Sequence, residues 1–156
     1  MSKNIVKQGK PDTWGKALKA FLWWKQASGL SETTLKDYTD YVSRFFKNYP
    51  DSYQDENILK HAVYEYMGKS AKPAYYNLKL IYLKAFFTWC VDEGVLSANP
   101  LKSFKKRKAE GRVVNLDNET LKKLIDLPDK RTFAGLRDYC LIILTLDCGI
   151  RPKEAF

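Results

Sequence analysis

The chain has 156 residues, a hydrophobic content of 45%, a charged content of 29% and a formal net charge of +9, which fits one globular domain or a small domain with part of a second. It has no apolar run of about 18 residues and no apolar stretch near its first residue, so we expect neither a membrane span nor a secretory signal. Three cysteines without a C-x-x-C pair and one histidine disfavour a disulfide framework, a metal site and a Ser-His-Asp triad, and predict a reduced cytoplasmic protein.

Four helices are predicted before residue 101. The first covers 12–28, with Asp12 as its cap and Gly29 at its end. The second follows Ser31 and ends at Pro50, because proline cannot continue a helix. Its apolar side chains recur every three or four residues and predict one buried face: Leu35, Tyr38, Val42, Phe45, Phe46 and Tyr49.

The third helix is predicted over about 55–67 and the fourth over about 73–93, with Pro73 in its first turn. The inward side of the third helix carries Ile58, Leu59, Ala62, Val63 and Tyr66. The fourth is apolar on most sides, so we expect it to be the central helix. These four helices predict a compact all-α bundle.

Beyond residue 108 the composition changes, since only 3 of the 22 aromatic residues lie there. Helices are predicted from Asp117, as a cap, to Leu127 and over about 134–147 before Gly149. We therefore expect four segments: a basic tail at 1–11, a helical domain at 12–101, a basic linker at 102–112 and the start of a second domain at 113–156. The end at Phe156, one turn after Pro152, predicts that only the opening piece of the second domain is present.

Positive charge is concentrated in the first part of the chain. Residues 1–108 hold 19 Lys and Arg against 10 Asp and Glu, a net charge of +9, whereas residues 109–156 hold 8 of each. The segment 102–108 alone contributes +5, and the 26 residues between Glu65 and Asp92 contain no acid. This pattern favours a polyanionic partner. Solvated faces or a flexible linker would explain the same charges, and charge alone does not separate DNA from RNA or an anionic membrane.

Three stretches together resemble the tyrosine recombinase, or phage-type integrase, family. SETTLKDYTDYVSRFF (31–46) resembles an early helix of the family, with its Thr-x-x-x-Tyr pattern at Thr34 and Tyr38. KPAYYNLKLIYLKAFFTWCVDEGVLSANP (72–100) resembles the helix that ends the family's core-binding domain. LRDYCLIILTLDCGIRPKEAF (136–156) resembles the entry to the catalytic domain, with G-x-R-x-x-E at Gly149, Arg151 and Glu154.

The resemblance implies a four-helix SAM-like core-binding bundle followed by a truncated helical start of the catalytic domain, closing as a clamp on double-stranded DNA. It places the second and fourth helices at the major groove, with candidate contacts Thr33, Thr34, Lys36, Lys72, Tyr75, Tyr76, Asn77 and Lys79. The linker would add the cations Lys102, Lys105, Lys106, Arg107 and Lys108. Asn77 or Tyr76 would contact base edges and the lysines phosphates.

Alternatives stay open for several of these residues. Tyr75 and Tyr76 are adjacent on a helix, so one of the two is expected in the core. Thr34 would also serve as a helix-start residue, and Lys72 and Lys79 as ordinary solvated lysines.

The resemblance also implies that Arg151 binds the scissile phosphate, where a planar guanidinium stabilises charge on two oxygens. Glu154 would orient Arg151 or favour the start of a helix. The alternative interpretation of Arg151 is a surface arginine after a helix end. The family's hairpin lysine, His-x-x-Arg pair and nucleophilic tyrosine lie downstream of this arginine, so we expect no strand cleavage by this chain alone.

The sequence therefore predicts the DNA-binding portion of a site-specific recombinase that integrates or excises mobile DNA through a 3′-phosphotyrosyl link. The resemblance implies no cofactor, no metal, no small-molecule substrate and a tetramer of the full-length protein on DNA, in the cytoplasm at the nucleoid. One alternative is a non-enzymatic DNA-binding regulator, or decoy, that occupies a recombination site. Another is a helical protein-interaction domain.

Overall fold

The computed structural model describes residues 11–111, 115–151 and 154, and these residues form helices joined by turns and extended segments, without a strand. The all-α prediction is thus confirmed. The helices are α1 (Trp14–Ala27), α2 (Glu32–Asn48), α3 (Glu56–Gly68), α4 (Pro73–Asp92), α5 (Asn118–Asp126) and α6 (Phe133–Cys148), with a short 3-10 helix at Pro50–Tyr53. Two compact units result, Met1–Glu110 and Gly111–Phe156. The predicted basic tail lies outside the described residues except for Pro11.

The cap of α1 differs from the prediction. Thr13, rather than Asp12, has the extended backbone of a cap, and its hydroxyl accepts a hydrogen bond from the Lys16 backbone N–H at 3.3 Å. Asp12 lies one residue too early for that role. Its carboxylate is instead 2.8 Å from the ammonium of Lys16.

The connection from α2 to α3 holds a turn that the apolar periodicity did not reveal. Pro50 ends α2 as expected, but its fixed φ also opens the 3-10 helix. Asp55 then caps α3, accepting from the backbone N–H groups of Asn57 at 2.7 Å and Ile58 at 3.1 Å. The prediction of an inward Ile58 is wrong, since that side chain is 51% exposed at the first turn of α3.

The core of the first unit is aromatic and centres on α4, as the sequence predicts. Phe86 and Phe87 are fully buried, and the ring of Phe86 meets the ring of Phe21 edge-on at 5.4 Å. Such edge-to-face pairs add about 0.5–1.5 kcal/mol to the stabilisation that burial of the rings itself provides. The buried rings of α2, Phe45 and Phe46, complete this layer.

The second unit contains α5 and α6. Asp117 caps α5 as predicted, and Gly149 ends α6 with a φ of +65°, a left-handed conformation that favours glycine. None of the described residues of this unit is buried, and Phe133 and Leu127 are 86% and 81% exposed. Its helices therefore present apolar surface to the outside. Across the described residues of both units, no helix is long and apolar enough to cross a membrane.

Candidate nucleic-acid interface

The segment 102–108, here called the basic strap, lies along α4. Its first part is anchored by Lys84, whose ammonium donates to the carbonyl oxygens of Lys102 at 3.1 Å and Phe104 at 3.3 Å. Phe104 packs against the bundle core, with its ring 5.8 Å from that of Tyr64. The sequence interpretation of a linker did not foresee these anchors.

A second anchor of the basic strap is the Asn77–Arg107 pair. The side-chain amide of Asn77 donates to the Arg107 carbonyl oxygen and accepts from the Arg107 backbone N–H, both at 2.8 Å. The Arg107 guanidinium lies 3.8 Å from the ring centre of Tyr76. The basic strap is therefore fixed to the bundle up to Arg107. Its cations remain exposed: Lys102, Lys105, Lys106, Arg107 and Lys108.

The start of α4 adds positive charge beside the end of the basic strap. Lys72 occupies the cap position, no side chain caps the helix, and its first turn contains no acidic residue. Lys72 and Pro73 share the lining of a cavity of about 440 Å³ with Lys108 and Glu110. Two exposed lysines thus meet at a helix N-terminus, where unpaired backbone N–H groups favour anions.

Tyr75 and Arg44 form a polar pair between α4 and α2. The Arg44 guanidinium donates to the Tyr75 hydroxyl at 2.8 Å, and this hydrogen bond raises the pKa of Arg44. Both residues are exposed. Sequence reasoning missed Arg44, although its spacing of three residues from Tyr41 places the two on the same face of α2.

The position of Lys79 differs most from the sequence prediction. It is 3% exposed, and its ammonium donates to the Tyr66 carbonyl oxygen at 3.1 Å and lies 4.5 Å from the Tyr66 ring centre. Burial lowers its pKa, and the nearby charges of Arg107 and Lys69 lower it further. A phosphate has no access to this ammonium. The prediction of Lys79 as a DNA contact is wrong.

Tyr76 and Asn77 have structural roles as well. Tyr76 is the tyrosine of the adjacent pair that enters the core, at 5% exposure, whereas Tyr75 is 37% exposed. The buried ring of Tyr76 cannot reach a base edge, so that prediction is wrong too. The side-chain nitrogen and oxygen of Asn77 both form hydrogen bonds with the backbone of Arg107. The amide is therefore not available for the pair of hydrogen bonds by which asparagine recognises a base edge.

The candidates at the start of α2 are divided between structural and exposed positions. Ser31 is the cap, and its hydroxyl lies 3.0 Å from that of Thr34, which supports the helix-start interpretation of Thr34. Thr33 and Lys36 are exposed. Within the described ranges, no hydrogen bond or ion pair joins either of them to the basic strap.

In the second unit, Arg151 and Glu154 are brought together. The Glu154 carboxylate lies 3.6 Å from the Arg151 guanidinium and accepts from the Arg151 backbone N–H at 3.2 Å. The Arg151 side chain is 84% exposed. Glu154 thus contacts both the backbone and the side chain of Arg151 and leaves a guanidinium that can receive an anion. No group of His, Cys, Asp and Glu that could hold a metal ion occurs among the described residues.

Comparisons with known proteins agree on one family. A tyrosine recombinase XerD of Listeria monocytogenes is 31% identical over 140 residues, covering 81% of this chain and 45% of the relative. A tyrosine recombinase XerC of Salmonella typhi is 30% identical over 101 residues, covering 64% of this chain and 33% of the relative. A tyrosine recombinase XerC of Thermodesulfovibrio yellowstonii is 26% identical over 136 residues, covering 83% and 44%.

The chain spans less than half the length of these relatives. No family model matches it, and no solved structure gives a significant match. All three relatives are nevertheless described as tyrosine recombinases. The alignments with two of them cover more than 80% of this chain. The chain is therefore related to the tyrosine recombinases.

Proposed function

We propose that this chain is the DNA-binding portion of a site-specific tyrosine recombinase and that it holds duplex DNA through the basic strap and the start of α4. The observation that carries the proposal is the placement of five cations on a strap fixed along α4, beside the uncapped helix start at Lys72. Fixed cations next to free backbone N–H groups suit phosphate oxygens, since each phosphate finds both charge and directed donors.

The exposed side chains of this surface take different parts in the proposal. Lys72, Lys108 and the other strap cations bind phosphates and position the protein on the duplex. Tyr75 and Arg44 supply a hydroxyl and a guanidinium at its α2 side. Thr33 and Lys36 remain candidate phosphate contacts at the start of α2. Specificity for a base sequence is not assigned to Asn77 or Tyr76.

Arg151 is proposed to bind the phosphate at which strand exchange occurs, with Glu154 holding it in place. A phosphodiester under attack gains negative charge on its non-bridging oxygens, and a guanidinium can donate to two of them at once. The tyrosines of this chain precede Arg151, as in the sequence prediction, and none is proposed as the nucleophile. This chain is therefore expected to bind DNA without cutting it, and the full protein to integrate or excise mobile DNA.

The proposal extends to the oligomeric state and the cellular location of the full-length protein. The full-length recombinase would act as a tetramer on a specific DNA site in the cytoplasm, at the nucleoid, without a cofactor. The XerC and XerD relatives support the DNA partner, because site-specific recombination takes place on duplex DNA.

A salt series with duplex DNA tests the proposal. If about six cations meet phosphates, the logarithm of affinity falls against the logarithm of salt concentration with a slope of about −5. Fluorescence anisotropy of a labelled duplex measures it, and a single strand of the same length is the control. A slope near zero would contradict the proposal. So would an affinity for a neutral polymer of the same size that equals the affinity for the duplex.

A further inference from the structure

The contact between Asn77 and Arg107 joins two residues 30 positions apart through the backbone of the basic strap. Asn77 lies on α4, whose packing in the core keeps its backbone in place, and its amide satisfies the carbonyl and the N–H of the same residue. A side-chain amide that pairs with both groups of one peptide residue replaces the neighbouring strand that an extended segment otherwise needs.

Electrostatic repulsion opposes the packing of the basic strap on the bundle. Five cations within seven residues repel one another, and a run of this kind is normally solvated and disordered. Burial lowers the pKa of Lys79, and the positive charges of Arg107 and Lys69 lie close enough to lower it further, so more than one cation lies on this side of α4. The contacts that hold the strap on the bundle must therefore offset this repulsion.

Three contacts provide that offset. Lys84 binds two strap carbonyls, Phe104 packs on the core and the Asn77–Arg107 pair closes the far end. The Arg107 guanidinium over the Tyr76 ring adds a cation–π contact at the same point. Of the three, the Asn77 contact is nearest along the strap to Lys106 and Lys108.

We propose that Asn77 is a positioning residue that fixes the register of the basic strap, so that its cations are ordered before DNA arrives. This rests on the proposed DNA binding of the chain. A free tether loses conformational entropy when it becomes ordered on DNA, and this loss weakens binding. A strap already held by Asn77 loses that entropy during folding, so binding to DNA does not include the loss. Asn77 thus raises DNA affinity without contacting DNA.

The proposal separates Asn77 from a direct DNA contact in a measurable way. Asn77→Ala removes no charge, so the number of phosphate contacts and the salt slope should stay the same. Affinity should fall about 10-fold at every salt concentration, and equally for duplexes of different sequence, because the cost is one of ordering the strap. If Asn77 touched a base edge, the same substitution would instead reduce discrimination between sequences.

The experiment combines hydrogen exchange with duplex binding on the whole chain. Asn77→Ala should speed amide exchange in peptides covering 102–108 by about 10-fold or more while α4 keeps its protection. Asn77→Asp keeps an oxygen for the Arg107 N–H but loses the donor. Its amide exchange rate in the same peptides should lie between the rates of wild type and Asn77→Ala. Asn48→Ala is the matched control, because Asn48 binds only the Arg44 carbonyl oxygen of its own helix in the described contacts.

The outcomes separate the two proposals. Unchanged strap exchange in Asn77→Ala overturns the positioning role, as does faster exchange with unaltered DNA affinity. Faster exchange with weaker binding and an unchanged slope supports it. If wild type itself does not bind duplex DNA while exchange in the strap still responds to Asn77→Ala, the proposed function fails, and the role of Asn77 in DNA binding with it, although the anchoring contact stands.

Discussion

Lys79→Glu is expected to destabilise the first unit by about 3–5 kcal/mol, because a buried carboxylate without a hydrogen-bond donor costs more than its attraction to the nearby charges of Arg107 and Lys69 offsets. The carboxylate would face the Tyr66 carbonyl oxygen and the negative face of the Tyr66 ring, where the ammonium now donates at 3.1 Å and forms a cation–π contact. Neither group can donate to a carboxylate. Urea denaturation followed by circular dichroism measures the effect, and failure to fold is its extreme form.

Two variants keep this prediction testable. Lys79→Met retains the length of the side chain and removes the charge, so it should cost only about 1–3 kcal/mol for the unsatisfied Tyr66 carbonyl. Lys72→Glu changes the same charge at an exposed site of the same helix and should stay within about 0.5 kcal/mol of wild type. A folded Lys79→Glu with wild-type stability and weakened DNA binding would restore Lys79 as a direct contact.

Reversing Lys72 and Lys108 together is expected to weaken duplex binding on the order of 100-fold at low salt, with a salt slope shallower by about 2. These two lysines line one cavity at the start of α4, so both reversals place negative charge where the proposal puts a phosphate. Because both side chains are exposed, folding should be unaffected. Anisotropy over a range of salt concentrations measures the affinity and the slope from one data set.

The matched control reverses Lys16 and Lys19, two exposed lysines of α1, and gives the same net charge. Its effect should be limited to the weaker long-range attraction, which salt of about 0.15 M largely screens. Equal reductions in affinity for the two double variants would mean that net charge, rather than this surface, governs binding.

The helices were predictable because their signals are local. The three- and four-residue spacing of the apolar positions in α2 and the cap at Asp117 each depend on neighbours within one or two turns. The same spacing could have identified Lys79, which shares the inward face of α4 with Tyr76, Leu83 and Phe86. The expectation of a DNA contact rests instead on the family resemblance, which places the fourth helix at the major groove, and lysine is rarely buried.

The site contacts were not predictable in the same way. Asn77 and Arg107 are separated by 30 residues, and only the path of the chain after Leu101 brings them together. Fully buried Leu101 directs that path by seating the chain against the core before the basic strap begins. A sequence of lysines shows how much charge a segment has, but its tertiary anchors decide whether that charge is mobile or fixed.

The most direct test of the account is the protection of lysines by duplex DNA, measured by amine acetylation and mass spectrometry on the wild-type chain. Duplex DNA should slow the modification of Lys72 and of the strap lysines Lys102, Lys105, Lys106 and Lys108, and leave Lys16 and Lys19 unchanged. Lys79 should resist modification with or without DNA, since it is 3% exposed. Equal rates at the strap lysines in the presence and absence of duplex, or protection confined to α1, would contradict the claim that the basic strap and the start of α4 hold DNA.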